Sequence, residues 1–202
     1  MSTAIKITAS DVNKLRQQTG AGMMDCKKAL VEAEGNFENA IDLLRKKGQK
    51  VAAKRGENAA KEGLIISEVS ADGSYGVILA LNCETDFVSK NDGYRKLVQS
   101  FVDLAMTKQP ENLEELISLQ YDEKLSVSEK IIEQVGVIGE KLELSKYAIL
   151  RADKVVPYNH PGNQLATLVG LNSNTSEAEE AGKQVAMQVA AMNPAAVDKS
   201  GI

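Results

Sequence analysis

Few residues in this sequence are equipped for covalent chemistry, and their spacing argues against it. His160 is the sole histidine, so any Ser–His or Cys–His mechanism must use it. Its setting, Tyr158-Asn159-His160-Pro161-Gly162, is a polar turn with no nucleophile motif beside it. A structural or contact role therefore outweighs that of a base. Cys26 and Cys83 lie far apart, with neither a CxxC nor a zinc spacing. Both read as small core fillers in a reducing cytosol. Gly20-Ala21-Gly22 opens a GxGxxG, but Asp25 stands where the third glycine belongs, and no GxxxxGK[ST] occurs. The carboxylate pairs Glu114-Glu115 and Glu179-Glu180 fall on charge-rich helical surfaces and read as solvated faces. No cofactor and no metal site is expected.

Two other places carry side chains suited to contact. Leu81-Asn82-Cys83-Glu84-Thr85-Asp86-Phe87-Val88-Ser89-Lys90-Asn91-Asp92 follows a hydrophobic run, Tyr75 to Ala80, that reads as a strand, and it leads into a helical pattern. An acid and an aromatic thus stand together at one edge of a domain. Phe87 lies seven residues before Tyr94, so periodicity lets it begin the buried stripe of that helix. Ser89-x-x-Asp92 resembles a capping box, which would instead leave Thr85 to Val88 outside the helix. Met23-Met24, on a turn near the N-terminus, is either core or a second contact point. Both places read as contacts for a protein partner.

The elements that must position these residues follow from pattern. The 202 residues carry 43% apolar and 26% charged side chains, ordinary for a soluble globular protein. A net charge of −4, from 24 basic and 28 acidic residues, argues against nucleic-acid binding through general electrostatics. No apolar run approaches the ~20 residues of a membrane span, and Met1 to Lys6 lacks the h-region of a signal peptide. The expected location is the cytoplasm.

Residues 8–48 read as three short helices. Thr8 or Ser10 caps the first, which Gly20-Ala21-Gly22 ends. The second runs from Met24 or Asp25 to Glu34, with Cys26, Ala29, Leu30 and Ala33 on one face. Asn36 caps the third, which Lys46-Lys47-Gly48 closes. Residues 49–62 read as a linker or an exposed helix. From Gly63 the period becomes that of strands, with an Asp-Gly hairpin at Ala71-Asp72-Gly73-Ser74. A helix with Tyr94, Leu97, Val98, Phe101, Val102 and Ala105 on its buried face follows, and 112–140 is helical again in two stretches, one with Leu113, Leu116 and Ile117 and one with Val127 to Ile138 that Ser126 or Ser128 can cap. Strands over 142–150, 154–158 and 164–171 precede a helix from about Ser176 that carries Ala181, Val185, Ala186, Val189 and Met192. Leu81-Asn82-x-x-Thr85 and Leu171-Asn172-x-x-Thr175 link strand to helix at the same spacing, a weak internal duplication. The fold class is α+β: a three-helix domain (1–48), a linker (49–62), and a core of two related subdomains of antiparallel hairpins plus helices (63–140 and 141–202).

Thr19-Gly20-Ala21-Gly22-Met23-Met24-Asp25-Cys26-Lys27-Lys28-Ala29-Leu30 and Asn82-Cys83-Glu84-Thr85-Asp86-Phe87-Val88 together resemble the bacterial translation elongation factor Ts family. Gly139-Glu140, Tyr158-x-His160 and Ala186 to Pro194 extend the resemblance over nearly the whole chain. It implies a ubiquitin-associated-like (UBA-like) N-terminal domain and guanine-nucleotide exchange on elongation factor Tu, the GTPase that carries aminoacyl-tRNA. Met23 and Met24 would pack on the partner's G domain. Thr85, Asp86, Phe87 and Val88 would disturb the partner's Mg²⁺ site, and His160 would face another of its domains. Direct nucleic-acid or membrane contact is not implied. Longer family members continue past Asn193-Pro194, so the second subdomain is expected to be incomplete here, with an open sheet edge. Two other functions compete: a binding module without exchange activity, and an enzyme with His160 as its base.

Overall fold

A computed structural model describes residues 6–201; the readings made of Met1 to Ile5 and of Ile202 lie outside them. The chain is α+β and divides into two compact units. One comprises the residues up to Ala59 together with Ser128–Leu142. The other comprises Ala60–Val127 and the residues from Glu143 onward.

In the first unit, α1 (Ala9–Thr19) starts on a full capping box. The Thr8 hydroxyl accepts the Asp11 amide at 3.2 Å, and the Asp11 carboxylate accepts the Thr8 amide at 3.0 Å. Gly20, at φ 70°, ends the helix in the left-handed region open to glycine. Helix α2 (Met23–Glu32) turns Cys26, Ala29 and Leu30 inward against Val12, Leu15 and Ala40. The Asn36 side chain caps α3 (Phe37–Arg55) by accepting the Asn39 amide at 3.0 Å.

Gly48 does not close α3. The helix runs on to Arg55, because this glycine serves packing rather than termination. A Cβ on Gly48 would lie 2.8 Å from the Ile132 carbonyl oxygen, and one on Gly136 would lie 2.7 Å from the Gly48 Cα. Both positions must therefore stay bare for α3 and α7 (Val127–Ile138) to approach this closely. The residues of α7 from Ser128 onward thereby join the helical unit by contact, although sequence order sets them among the strands.

In the second unit, β1 (Glu62–Val69), β2 (Tyr75–Cys83) and β3 (Glu143–Arg151) form an antiparallel sheet in the order β1-β2-β3. The β1–β2 turn is built on Asp72, whose carboxylate accepts the Ser70 hydroxyl at 2.6 Å and the Ser74 amide at 3.0 Å. On β2 the register against β3 shifts between Ala80 and Leu81. Helix α5 (Asp92–Lys108) buries Tyr94, Leu97, Val98, Phe101, Val102 and Ala105. The edge of the Phe101–Tyr121 ring pair, 5.5 Å between centroids, closes that layer. Helix α6 (Leu113–Ser118) follows and buries Leu116.

A second hairpin, β4 (Lys154–Asn159) and β5 (Ala166–Leu171), carries α8 (Ser176–Met192) on one face. Here the small residues do the packing: Gly182 and Ala186 are buried, and the Thr167 hydroxyl donates to the Ala186 carbonyl at 3.0 Å. Val185, Met187 and Met192 stay exposed: a Cβ on Gly182 would lie under 3 Å from the Leu171 and Val156 side chains, so the bare glycine sets which face lies down. Thr85 and Thr175 both stand, extended, at the starts of the helices that follow β2 and β5. Among the described residues no helix is long and apolar enough to cross a membrane.

Candidate partner-binding surface

After β2 the chain makes one short helix, α4 (Asp86–Ser89), before α5 begins. Its base is buried. Cys83 is fully inaccessible, and its Sγ donates to the Thr85 carbonyl at 3.2 Å. Ser89 is also buried, and its hydroxyl donates to the Asp86 carbonyl at 3.1 Å. Thr85 occupies the N-cap position with extended backbone, φ −125° and ψ 153°.

Ser89 therefore does not cap α5. Asn91 does, its side-chain oxygen accepting the Gly93 amide at 2.7 Å. The Ser89 hydroxyl is already committed to Asp86, and the chain turns extended only at Asn91 (φ −76°, ψ 134°). Of the two positions sequence leaves open for Phe87, the structure takes the second: it stands outside α5.

Phe87 is 84% exposed, whereas Phe101 is fully buried. Burying such a ring yields about 1.5–3 kcal/mol, so a phenyl left in water on a well-anchored turn is available to a partner. Beside it, the Asp86 carboxylate accepts the Lys90 ammonium at 2.6 Å. That hydrogen bond and the lysine's charge hold the Asp86 carboxyl below the usual range, and the same pair raises Lys90. Val88 is half-buried.

Behind this turn, the Tyr94 hydroxyl donates to the Leu81 carbonyl at 2.7 Å in the interior. Asn82 donates to the Glu62 carbonyl at 3.1 Å and accepts the Ser145 hydroxyl. The strand that delivers α4 is thus pinned on both sides.

His160 is exposed in the β4–β5 turn, with Nδ1 2.9 Å from the Tyr158 hydroxyl. The same turn reaches back to the region of α4. Asn163, in the left-handed region at φ 55°, accepts Arg95 from the first turn of α5 at 2.9 Å. Its carbonyl accepts the Ile65 amide at 2.6 Å. His160 and the Thr85–Val88 segment therefore belong to one end of the α+β unit.

Met23 and Met24, 59% and 62% exposed, open α2 in the helical unit. Asp25 behind them is paired with Lys47 at 2.6 Å, which ties the start of α2 to α3. Met24 lines a shallow open groove of about 420 Å³ with Lys27, Lys28, Val31 and Glu32. Val31, 58% exposed, is not singled out by pattern. The signal is present all the same: it lies seven residues after Met24, on the same helical face.

Among the described residues, no group of three or more His, Cys, Asp or Glu side chains is placed to hold a metal ion. The exposed features are apolar and charged contact groups.

The sequence model of a family described as elongation factor TS matches residues 84–202. Over 197 residues the chain is 53% identical to the elongation factor Ts of Christiangramia forsetii, an alignment covering 98% of this chain and 71% of that protein. It is also 53% identical to the elongation factor Ts of Amoebophilus asiaticus, over 97% of this chain and 71% of the relative. With that of Flavobacterium psychrophilum the identity is 49%, over 97% and 70%.

Proposed function

The chain belongs to the elongation factor Ts family of translation elongation factors, and from that premise we propose that it is a guanine-nucleotide exchange factor for elongation factor Tu. The observation that carries the reading is the presentation of Phe87, 84% exposed on a turn whose base is buried. Preorganisation of this kind removes the ordering cost that a flexible loop would pay on docking. Phe87 enters the partner's G domain near its phosphate and Mg²⁺ site. Asp86 accompanies it, with Thr85 and Val88 shaping the turn.

An exchange factor must bind the nucleotide-free partner more tightly than the nucleotide-bound one. Reciprocity then requires it to weaken the nucleotide by the same factor. Disturbing Mg²⁺ and the phosphate loop achieves this, because the metal supplies much of the charge that holds the phosphates. A thousandfold acceleration of release takes only about 4 kcal/mol off the barrier. One aromatic seated at an interface, together with rearranged polar contacts, is of that order.

Met23 and Met24 supply a second contact on the G domain, where the adaptable thioether suits an apolar surface. We read the helices that carry them as a UBA-like module. His160 meets another domain of the partner. The protein performs no covalent chemistry of its own and works in the cytoplasm. The test is release of a fluorescent GDP analogue from elongation factor Tu. This chain is expected to accelerate it, and an unchanged rate at saturating, demonstrably bound protein would reduce the chain to a passive binder.

A further inference from the structure

Lys90 has no part in the exchange reading. Helix α4 has four residues. One isolated turn is intrinsically unfavourable, since it fixes many dihedrals for few hydrogen bonds. Lys90 closes this turn twice over. Its backbone N–H donates to the Asp86 carbonyl at 3.0 Å, and its ammonium donates to the Asp86 carboxylate at 2.6 Å.

The Asp86 side chain is 45% exposed and that of Lys90 73%, so the pair faces solvent and is reachable by a partner. Glu62 is the other acid whose charge acts on Lys90.

We infer that Lys90 is a positioning residue: it clamps the Asp86 carboxylate back along α4, so that Phe87 leads into the partner and the turn arrives with its charge compensated. The inference rests on the exchange reading above. Its logic is electrostatic. The phosphates of bound nucleotide carry more negative charge than one Mg²⁺ neutralises, so a bare carboxylate approaching them meets net charge of its own sign, and like charges brought together oppose docking. A carboxylate already paired to an ammonium does not carry that penalty. Lys90 acts through Asp86, so its effect must vanish when Asp86 has no charge to hold.

That dependence is the test. Accelerated GDP release from elongation factor Tu is measured for the parent chain, Lys90→Met, Lys90→Arg, Asp86→Asn and the Asp86→Asn/Lys90→Met double variant. Lys90→Met should lower the acceleration by up to about fivefold, the range open to an exposed ion pair, and the loss should shrink as salt screens it. Lys90→Arg should restore most of the rate, and the double variant should match Asp86→Asn alone. Carboxyl NMR of the free protein reads the clamp without the partner: Asp86 should titrate higher in Lys90→Met than in the parent. Losses that multiply in the double variant would overturn the inference, because Lys90 would then touch the partner directly. So would a Lys90→Met rate equal to the parent's. A parent that binds but does not accelerate release would instead overturn the exchange reading, and the inference with it, whatever the NMR shows.

Discussion

The side-chain amide of Asn159 pairs with the backbone of Ser67 as though it were another strand. The Ser67 N–H donates to Asn159 Oδ1 at 2.8 Å, and Asn159 Nδ2 donates to the Ser67 carbonyl at 2.9 Å. The outer edge of β1 is thereby joined to the second hairpin across 92 residues of sequence. An edge strand left open would template association with other chains; here Asn159 occupies it at Ser67 and Asn163 at Ile65.

Asn159→Ala leaves both Ser67 groups without that partner, and Ser67 is buried. The expected cost is about 1–3 kcal/mol of stability, the penalty for orphaned buried polar groups. Urea denaturation with an unchanged slope would measure it. Asn159→Asp keeps the acceptor but sets an anion against the Ser67 carbonyl, and should cost at least as much.

Gly136→Ala sets two effects against each other. Alanine in a helix interior gains about 1 kcal/mol in propensity over glycine. The added methyl would lie 2.7 Å from the Gly48 Cα, a backbone atom that cannot swing aside. Overpacking of this kind costs about 1–3 kcal/mol, so a net destabilisation is expected, read as a lower midpoint in thermal unfolding. A midpoint above the parent's would mean that α3 and α7 are not in such close contact.

How much of this was legible beforehand depends on the range of each interaction. The Thr8–Asp11 capping box, the Asn36 cap and the Asp-Gly hairpin are settled by residues within a few positions of one another. Each could be read from the sequence. Gly48 looked like a helix stop because its reason for being glycine lies on another helix, at Gly136. The Ser89-x-x-Asp92 pattern suggested a cap, but the Ser89 hydroxyl had a competing local acceptor at Asp86, and Asn91 took the role. Position alone left Phe87 either buried or exposed; only the separate turn of α4 decides it. The pairing of Asn159 with Ser67 has no sequence signature at all.

The Asp72 turn carries a pH signature. Hydrogen bonds from the Ser70 hydroxyl, then from the Ser74 amide and hydroxyl, hold its carboxyl at about 2. A folded pKa below the unfolded value of about 3.9 stabilises the protein once the pH exceeds that unfolded value. That contribution is lost as the pH falls through about 2. The stability difference between the parent and Asp72→Asn should therefore be full at neutral pH and close under strong acid. NMR titration of the side-chain carboxyl would give the pKa directly.

Tyr94→Phe removes the hydroxyl that donates to the Leu81 carbonyl, for about 0.5–1.5 kcal/mol, the net worth of one hydrogen bond. Because this bond pins the end of β2 just before α4, exchange should slow as well. Loss of stability with exchange unchanged at full folding would show that the strand holds α4 without it.

The central claim, that Phe87 is the group that forces the nucleotide site open, is tested most directly by one stopped-flow comparison. Release of a fluorescent GDP analogue from elongation factor Tu is followed with saturating parent protein and with saturating Phe87→Ala. Phe87 is 84% exposed, so its removal should leave folding and thermal stability unchanged. Truncating an interface anchor worth about 2 kcal/mol would slow release by at least tenfold. Equal rates for the two proteins would contradict the claim and move the exchange mechanism elsewhere on the molecule.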